Sequence, residues 1–298
     1  MMGQDLAGKL LSTLSALLWT GAIISFKRAE HTPPVQLNLV KNVVAVGLFG
    51  LTLPIAGVSW IGPADLRTWG ITIASGVIGL GLGDVLFFAA LNRLGAGLSA
   101  IVESLYSPFV FVLSVAFLGE PATASLIFGT VLVVTGLIVV ADPSKSKTIT
   151  RAQMVAGMIL GTLSMLSMAV GVVMIKPVLA GHNVLWVIFW RAVAGGVMMA
   201  VWLVARGTHP QKWSIRRDQW VPVLSGTVLG TYLATCAWLY GMKYTTATAA
   251  AILNQLSTFF TLILAAVWLS EPITKRKALA AAVAFCGGAI ILAGSPTP

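Results

Sequence analysis

The sequence predicts an all-α membrane protein with ten transmembrane helices arranged as two inverted five-helix repeats. Three observations predict it. Of 298 residues, 57% are hydrophobic and only 9% are charged, against about 25% charged residues in an ordinary soluble domain. The apolar residues fall into ten runs, each close to the ~20 residues that cross a bilayer as a helix. The first half of the chain also reappears, residue type by residue type, in the second.

The ten runs cover 8–28, 35–57, 69–92, 97–118, 122–141, 153–178, 184–205, 219–242, 246–269 and 276–293. The first ends in Lys27-Arg28-Ala29-Glu30 without a small-residue cleavage site, so it reads as a retained helix and not a signal peptide. Pro33-Pro34 opens the second helix, and Gly62-Pro63, Asp142-Pro143 and His209-Pro210 mark turns. Pro121 and Pro272 suit first-turn positions, where a missing N–H costs nothing. Trp60, Trp69, Trp186, Trp202, Trp213, Trp220 and Trp268 fall near helix ends, as an interfacial aromatic belt requires. Trp19 and Trp238 lie deeper, as packing residues or cavity walls.

The repeat emerges on a shift of 151 residues. Trp69 then meets Trp220, Gly79 meets Gly230, Ile101 meets Ile252, Leu105 meets Leu256 and Phe109 meets Phe260. Glu120-Pro121 falls on Glu271-Pro272, and Gly136 on Gly287. With a slightly smaller shift, Thr13-Leu14-Ser15 meets Thr162-Leu163-Ser164, Lys27 meets Lys176 and Lys41 meets Arg191. Halves of five helices each enter the membrane from opposite sides, which makes the repeat inverted. The expected division is 1–144 and 145–298. Gly79-xxx-Gly83 and Gly226-xxx-Gly230 put small residues on one face of helices three and eight, where backbones can approach closely.

Several function classes drop out. The net charge of +10 does not indicate a nucleic-acid partner, because such a footprint needs a water-facing basic patch. Cys236 and Cys286 sit inside apolar runs, and His31, His182 and His209 are isolated, so neither a disulfide framework nor a Cys/His metal site is expected. No phosphate-binding loop, nucleophile elbow or His-x-x-x-His pattern occurs, so neither an enzyme, nor ATP drive, nor a bound cofactor is expected.

The repeated residues carry a resemblance. A basic residue opens the second helix of each half (Lys41, Arg191). The fourth helices end Phe117-Leu118-Gly119-Glu120-Pro121 and Trp268-Leu269-Ser270-Glu271-Pro272, each followed by a glycine-bearing fifth helix (Gly129, Gly136; Gly287, Gly288). In this order and spacing the chain resembles the drug/metabolite transporter superfamily, in its ten-helix branch with two EamA-type repeats. The resemblance implies transport of amino acids, nucleotide sugars or other metabolites, often export. It also implies cytosolic termini. The small four-helix drug exporters of that superfamily carry an acidic residue inside helix one; here none lies between Asp5 and Glu30.

Ionisable side chains in lipid are expensive and mark sites or partners. Lys41, Asp84, Glu103 and Arg191 lie well inside the predicted spans. At 1.5 Å rise per residue, Lys41, Asp84 and Glu103 sit roughly 9–12 Å deep in one layer. They are expected to form a carboxylate–ammonium cluster, either as an ion pair that fixes packing or as a site where Glu103 binds a substrate ammonium or a coupling proton. The second half replaces Asp84 and Glu103 by Thr235 and Asn254, with Gln255 adjacent, and keeps a cation at Arg191. A zwitterion bridging both layers, its carboxylate toward Arg191, is the natural guest; the alternative is that Arg191 caps helix ends or lines the cytosolic or external vestibule. Tyr106, Tyr232 and Tyr240 are candidate cavity walls. Glu120 and Glu271 precede proline and are expected to cap the helices that follow them.

The expected activity is secondary transport of a small polar metabolite, an amino acid first, by alternating access, with protons as coupling ion and export as direction. The location expected is a plasma membrane, the bacterial inner membrane. The alternatives are flipping of a lipid or lipid-linked head group, or a nucleotide-sugar or organic-cation carrier of the same fold. A lateral opening between helices favours the lipid alternative, and a closed polar cavity favours the metabolite. Charge gives the orientation. Loops after odd-numbered helices hold Lys27, Arg28, Arg93, Lys145, Lys147, Arg151, Arg206, Lys212, Arg216, Arg217, Lys275, Arg276 and Lys277, whereas the other face holds Lys9, Arg67, Lys176 and Lys243. The positive-inside rule then places both termini outside the cytosol, against the resemblance.

Overall fold

The computed structural model describes residues 2–29, 34–62, 65–103, 105–140, 150–205, 215–257, 259–260 and 275–294. All regular structure among them is helical. Glu271, Pro33, the turns at Asp142-Pro143 and His209-Pro210, and the ninth helix beyond residue 260 lie outside the described residues.

Helix α1 spans Met2–Arg28 and α2 spans Pro34–Ile55. Asp65 starts α3, Leu66–Ser75: its carboxylate accepts the N–H groups of Arg67 and Thr68 at 3.0 and 3.1 Å. A π-helical segment, Gly76–Leu82, continues α3 into α4, Gly83–Glu103. Helix α5, Tyr106–Leu118, ends at Gly119, whose φ of 66° is the left-handed conformation that glycine adopts without a Cβ clash. Then come α6, Ala124–Val140, and α7, Arg151–Gly181, the latter opened by a Thr150/Gln153 capping box. Helix α8 is Val184–Ala205. Helix α9, Trp220–Gly226, passes through a second π-helical segment, Thr227–Ala234, into α10, Thr235–Tyr244. Thr246 caps α11, Ala247–Asn254, and α12 is Lys275–Ala293.

Six of these stretches are long and apolar enough to cross a membrane: Gly3–Phe26, Leu37–Ile55, Leu66–Phe87, Arg151–Gly181, Val184–Ala205 and Arg217–Tyr244. Shorter apolar helices accompany them at Tyr106–Leu118, Ala124–Gly136 and Ala282–Ile291 among the described residues. Exposed Leu51, Val112, Phe117, Phe128 and Val201 present the outer surface to lipid, as an apolar solvent permits.

Two expectations about boundaries need correction. Helices three and four do not part at a non-helical loop over 93–96; helical hydrogen bonding runs through it. The chain nevertheless reverses there. Both Ala90 and Val102 reach the Cβ position of Gly161, at 3.4 and 3.3 Å, though a straight helix would hold them about 18 Å apart. The fourth and ninth helices are not continuous either: each is interrupted, after Glu103 and after Asn254.

The repeats interlock. The first helix of each packs on the third and fourth of the other: α1 lies against α9, α10 and α11, and α7 against α3, α4 and α5. The fifth helices pair, α6 on α12, with a Cβ on Gly287 only 2.8 Å from the Gly129 carbonyl. At the α7 crossing, a Cβ on Gly171 would lie 2.8 Å from Gly79 Cα. Its repeat equivalent sets Gly230 against Ala22, 2.6 Å from Cβ to Cβ. Small residues at both crossings let the main chains touch, which is how helices associate where lipid is as apolar as leucine.

Candidate functional site

The third helix of each repeat widens into a π segment at equivalent positions, 76–82 and 227–234. A π segment breaks the i→i−4 ladder and leaves main-chain oxygens to be satisfied from outside. Serines at equivalent positions of the first helices do this. Ser164 Oγ donates to the Gly83 carbonyl at 2.7 Å, and Ser15 Oγ donates to the Ala234 carbonyl at 2.9 Å. Ser167 and Ser75 add donors to the Ile78 and Gly171 carbonyls, at 2.7 and 2.5 Å. The sequence signal for Ser15 and Ser164 is the repeated Thr-Leu-Ser triplet, which by itself does not show what its hydroxyls bond.

The interruptions of the fourth helices are also equivalent, and they meet. Gln255 Nε2 donates to the Glu103 main-chain carbonyl at 3.1 Å. Asn254 Oδ1 lies 3.1 Å from Ser15 Oγ, which links this interruption to the π segment beside it. The interruptions of the two halves thus meet at the Gln255–Glu103 hydrogen bond.

Arg191 is built into the same region. Its residue is 3% exposed, and its main-chain oxygen lies 2.5 Å from a Cβ placed on Gly76, so α8 rests directly on the first π segment. Its guanidinium Nη2 is 3.5 Å from the Gly79 Cβ position, and Tyr106 faces it within electrostatic reach. Among the described residues it has no carboxylate partner, and Nε is buried without a hydrogen bond. Tyr232, on the second π segment, shares a 2.5 Å hydroxyl–hydroxyl hydrogen bond with Thr52 and stacks on Phe49 at 4.7 Å. Trp19 packs its ring 3.2 Å from the Gly230 Cβ position.

The expected three-membered cluster is brought together only in part. Asp84 accepts a hydrogen bond from Asn38 and faces Lys41. Asn38, 1% exposed, also points Nδ2 at Met199 Sδ, 3.2 Å away. Glu103 does not join them: no cation faces it among the described residues. Depth along a helix axis does not determine which way a side chain turns around it. Glu120 is a helix cap, but of another helix than expected. It caps α11 in the opposite repeat and not α6 after it. The cleft of about 420 Å³ between α5 and α7, lined by Leu113, Phe117, Leu118, Val170, Val173, Met174 and Pro177, contains none of the candidate residues.

Comparison with known proteins agrees with this architecture. The chain matches the EamA-like transporter family twice, over residues 6–141 and 155–293. It is 22% identical over 286 residues to an uncharacterized transporter of Archaeoglobus fulgidus, covering 94% of this chain and 96% of that one. It is 25% identical over 265 residues to protein PecM of Dickeya dadantii, covering 87% and 82% respectively. A solved crystal structure at 18% identity superposes with a TM-score of 0.80 over 95% of both chains, a likeness of fold.

Proposed function

The chain belongs to the EamA-like transporter family, and from that premise we propose that it is a secondary carrier of a small zwitterionic metabolite, an amino acid, working by alternating access between halves 1–144 and 145–298. The observation that carries this reading is Arg191: a guanidinium buried in the membrane, without a carboxylate partner among the described residues, beside the π segment of the opposite repeat. An intramembrane charge left unpaired by the protein is a charge reserved for a ligand. Glu103, half-buried and without a facing cation among the described residues, supplies the complementary group for an ammonium or a coupling proton. Tyr106, Asn254 and Gln255 lie between the two halves as neutral donors and acceptors. The contacts at the two interruptions are single hydrogen bonds that a rocking of one half can exchange. Export is the direction implied by the family resemblance, and a bacterial inner membrane is the location we assign.

A second reading is favoured by one observation. The cleft between α5 and α7 is apolar, and Phe117 on its rim is 76% exposed. On this reading a lipid lodges its tail there and presents its head group to Lys176, next in sequence to the lining residue Pro177. Counterflow in proteoliposomes separates the two. Vesicles are preloaded with one unlabelled solute from a panel of amino acids, nucleotide sugars and organic cations, and uptake of the labelled solute is followed. Saturable uptake of an amino acid supports the carrier. Silence across the panel with folded protein, together with flipping of a labelled lipid, transfers the assignment to lipid.

A further inference from the structure

On the face that holds both termini, one continuous polar network ties the two repeats together. Glu120, between α5 and α6, accepts the Ala247 N–H at 2.5 Å through Oε1. Through Oε2 it accepts the Thr248 N–H at 3.2 Å and the Thr248 hydroxyl at 2.9 Å. A carboxylate from the first repeat thus satisfies the open first turn of α11 in the second, where the helix dipole favours negative charge. Lys176 of α7 faces Glu120 and Asp5, and it donates to the Met242 and Thr245 carbonyls where α10 ends. Thr245 Oγ1 donates to Asp5 Oδ1 at 2.6 Å, Asp5 Oδ2 pairs with Lys9 Nζ at 3.0 Å, and Lys9 reaches the Gly294 carbonyl just after α12. Lys9, Thr245 and Thr248 are 2%, 6% and 0% exposed, and Asp5, Glu120 and Lys176 beside them are half-buried.

Charged groups held in main-chain hydrogen bonds and partly withdrawn from water are strong ties, but they are few and discrete, so they can break together. We propose that this network is the gate of the terminal face. Glu120 and Lys176 clamp the α10–α11 corner onto α5 and α7 while that face is closed, and opening requires both to let go. The gate rests on the carrier reading, since it controls access to the same site. The repeat places the same two residue types at the equivalent sequence positions of the other half, Glu271 and Lys27.

Hydrogen–deuterium exchange on the full chain in lipid nanodiscs tests this without a known substrate. Glu120→Gln and Thr248→Val are compared with the parent. The peptide over residues 245–250 is expected to exchange about tenfold faster in Glu120→Gln, the factor that follows from losing one hydrogen bond to a charged group. The helical turn over residues 92–97, on the opposite face, is expected to exchange more slowly, because the population moves toward the state open at the termini. A cap that only holds a helix end predicts faster exchange on the terminal face alone, and that result overturns the gate. So does unchanged exchange on both faces. Thr248→Val keeps both main-chain bonds to Glu120 and gives the same pattern at smaller amplitude should Glu120→Gln fail to fold. Opposite changes on the two faces with a silent counterflow panel would keep the gate and remove the amino-acid assignment. Counterflow with exchange confined to one face would do the reverse.

Discussion

Arg191 and Glu103 set the terms at the scale of the residue. A guanidinium buried against Gly79 and Tyr106 has lost its hydration, and the protein returns no carboxylate among the described residues. On the proposed carrier reading, a substrate carboxylate makes up that loss with charge-assisted bonds. Arg191→Ala is therefore expected to raise the KM for a carboxylate-bearing solute about ten- to a hundredfold, the range for a hydrogen bond to a charged group. Arg191→Lys should recover only part, because an ammonium keeps the charge but not the two-pronged geometry. Equal binding by parent and Arg191→Ala would end the clamp idea. For Glu103, replacement by Gln preserves shape and removes the titrating group. Counterflow by Glu103→Gln is expected to lose its dependence on pH, and a profile identical to the parent's would exclude Glu103 as the coupling site.

Elements respond to how closely main chains approach. A methyl on Gly171 would stand 2.8–3.0 Å from Gly79 Cα, the Ser75 carbonyl and Gly79 N, all main-chain atoms of the α3–π segment that cannot swing aside. Gly171→Ala is expected to destabilise the protein by about 1–3 kcal/mol, the usual cost of overpacking. Gly47→Ala on α2 meets nothing within 4 Å and is expected to be neutral or stabilising. Thermal unfolding of the two variants in one detergent checks the contrast. Asp65, the cap of α3, adds a pH effect. Hydrogen bonds from the Thr68 hydroxyl and then the Arg67 N–H hold its carboxyl below the ordinary carboxylate range. A lowered folded-state pKa means that stabilisation is present above the ordinary value of about 4 and is lost as pH falls through the lowered one. Asp65→Asn, which still caps, is expected to lose less of its melting temperature on acidification than the parent does. At this scale the sequence was readable to different depths. Helix spans followed from apolar length alone, and the repeat from spacing. The π segments and the interruptions at Glu103 and Asn254 were not readable, because Gly76–Leu82 is as apolar as the helix around it and nothing local marks a change of hydrogen-bond step. The partners of Ser15, Gln255 and Glu120 lie in the other half of the chain, so spacing along one half could not place them.

For the whole molecule the open quantity is which face looks at the cytosol. An even number of crossings puts both termini on one side. That side holds Lys9, Arg67, Lys176 and Lys243, against thirteen basic residues opposite. Three of the four are engaged in structure: Lys9 with Gly294 and Asp5, Lys176 with Met242 and Thr245, and Lys243 with the His182 carbonyl at 3.1 Å. Arg67 is the remaining basic residue of that face. Basic loops resist translocation during insertion, so the charge distribution predicts termini outside the cytosol, whereas resemblance to ten-helix relatives implies the reverse. We predict the outward placement. Fused at the C-terminus, alkaline phosphatase is then active in intact bacteria and a green fluorescent reporter is dark, and the Glu120–Lys176 network is the outer gate. An inactive phosphatase with a bright fluorescent fusion would put that network at the cytosolic mouth. The thirteen cations would then face outward, and the first half would have inserted against its own charge.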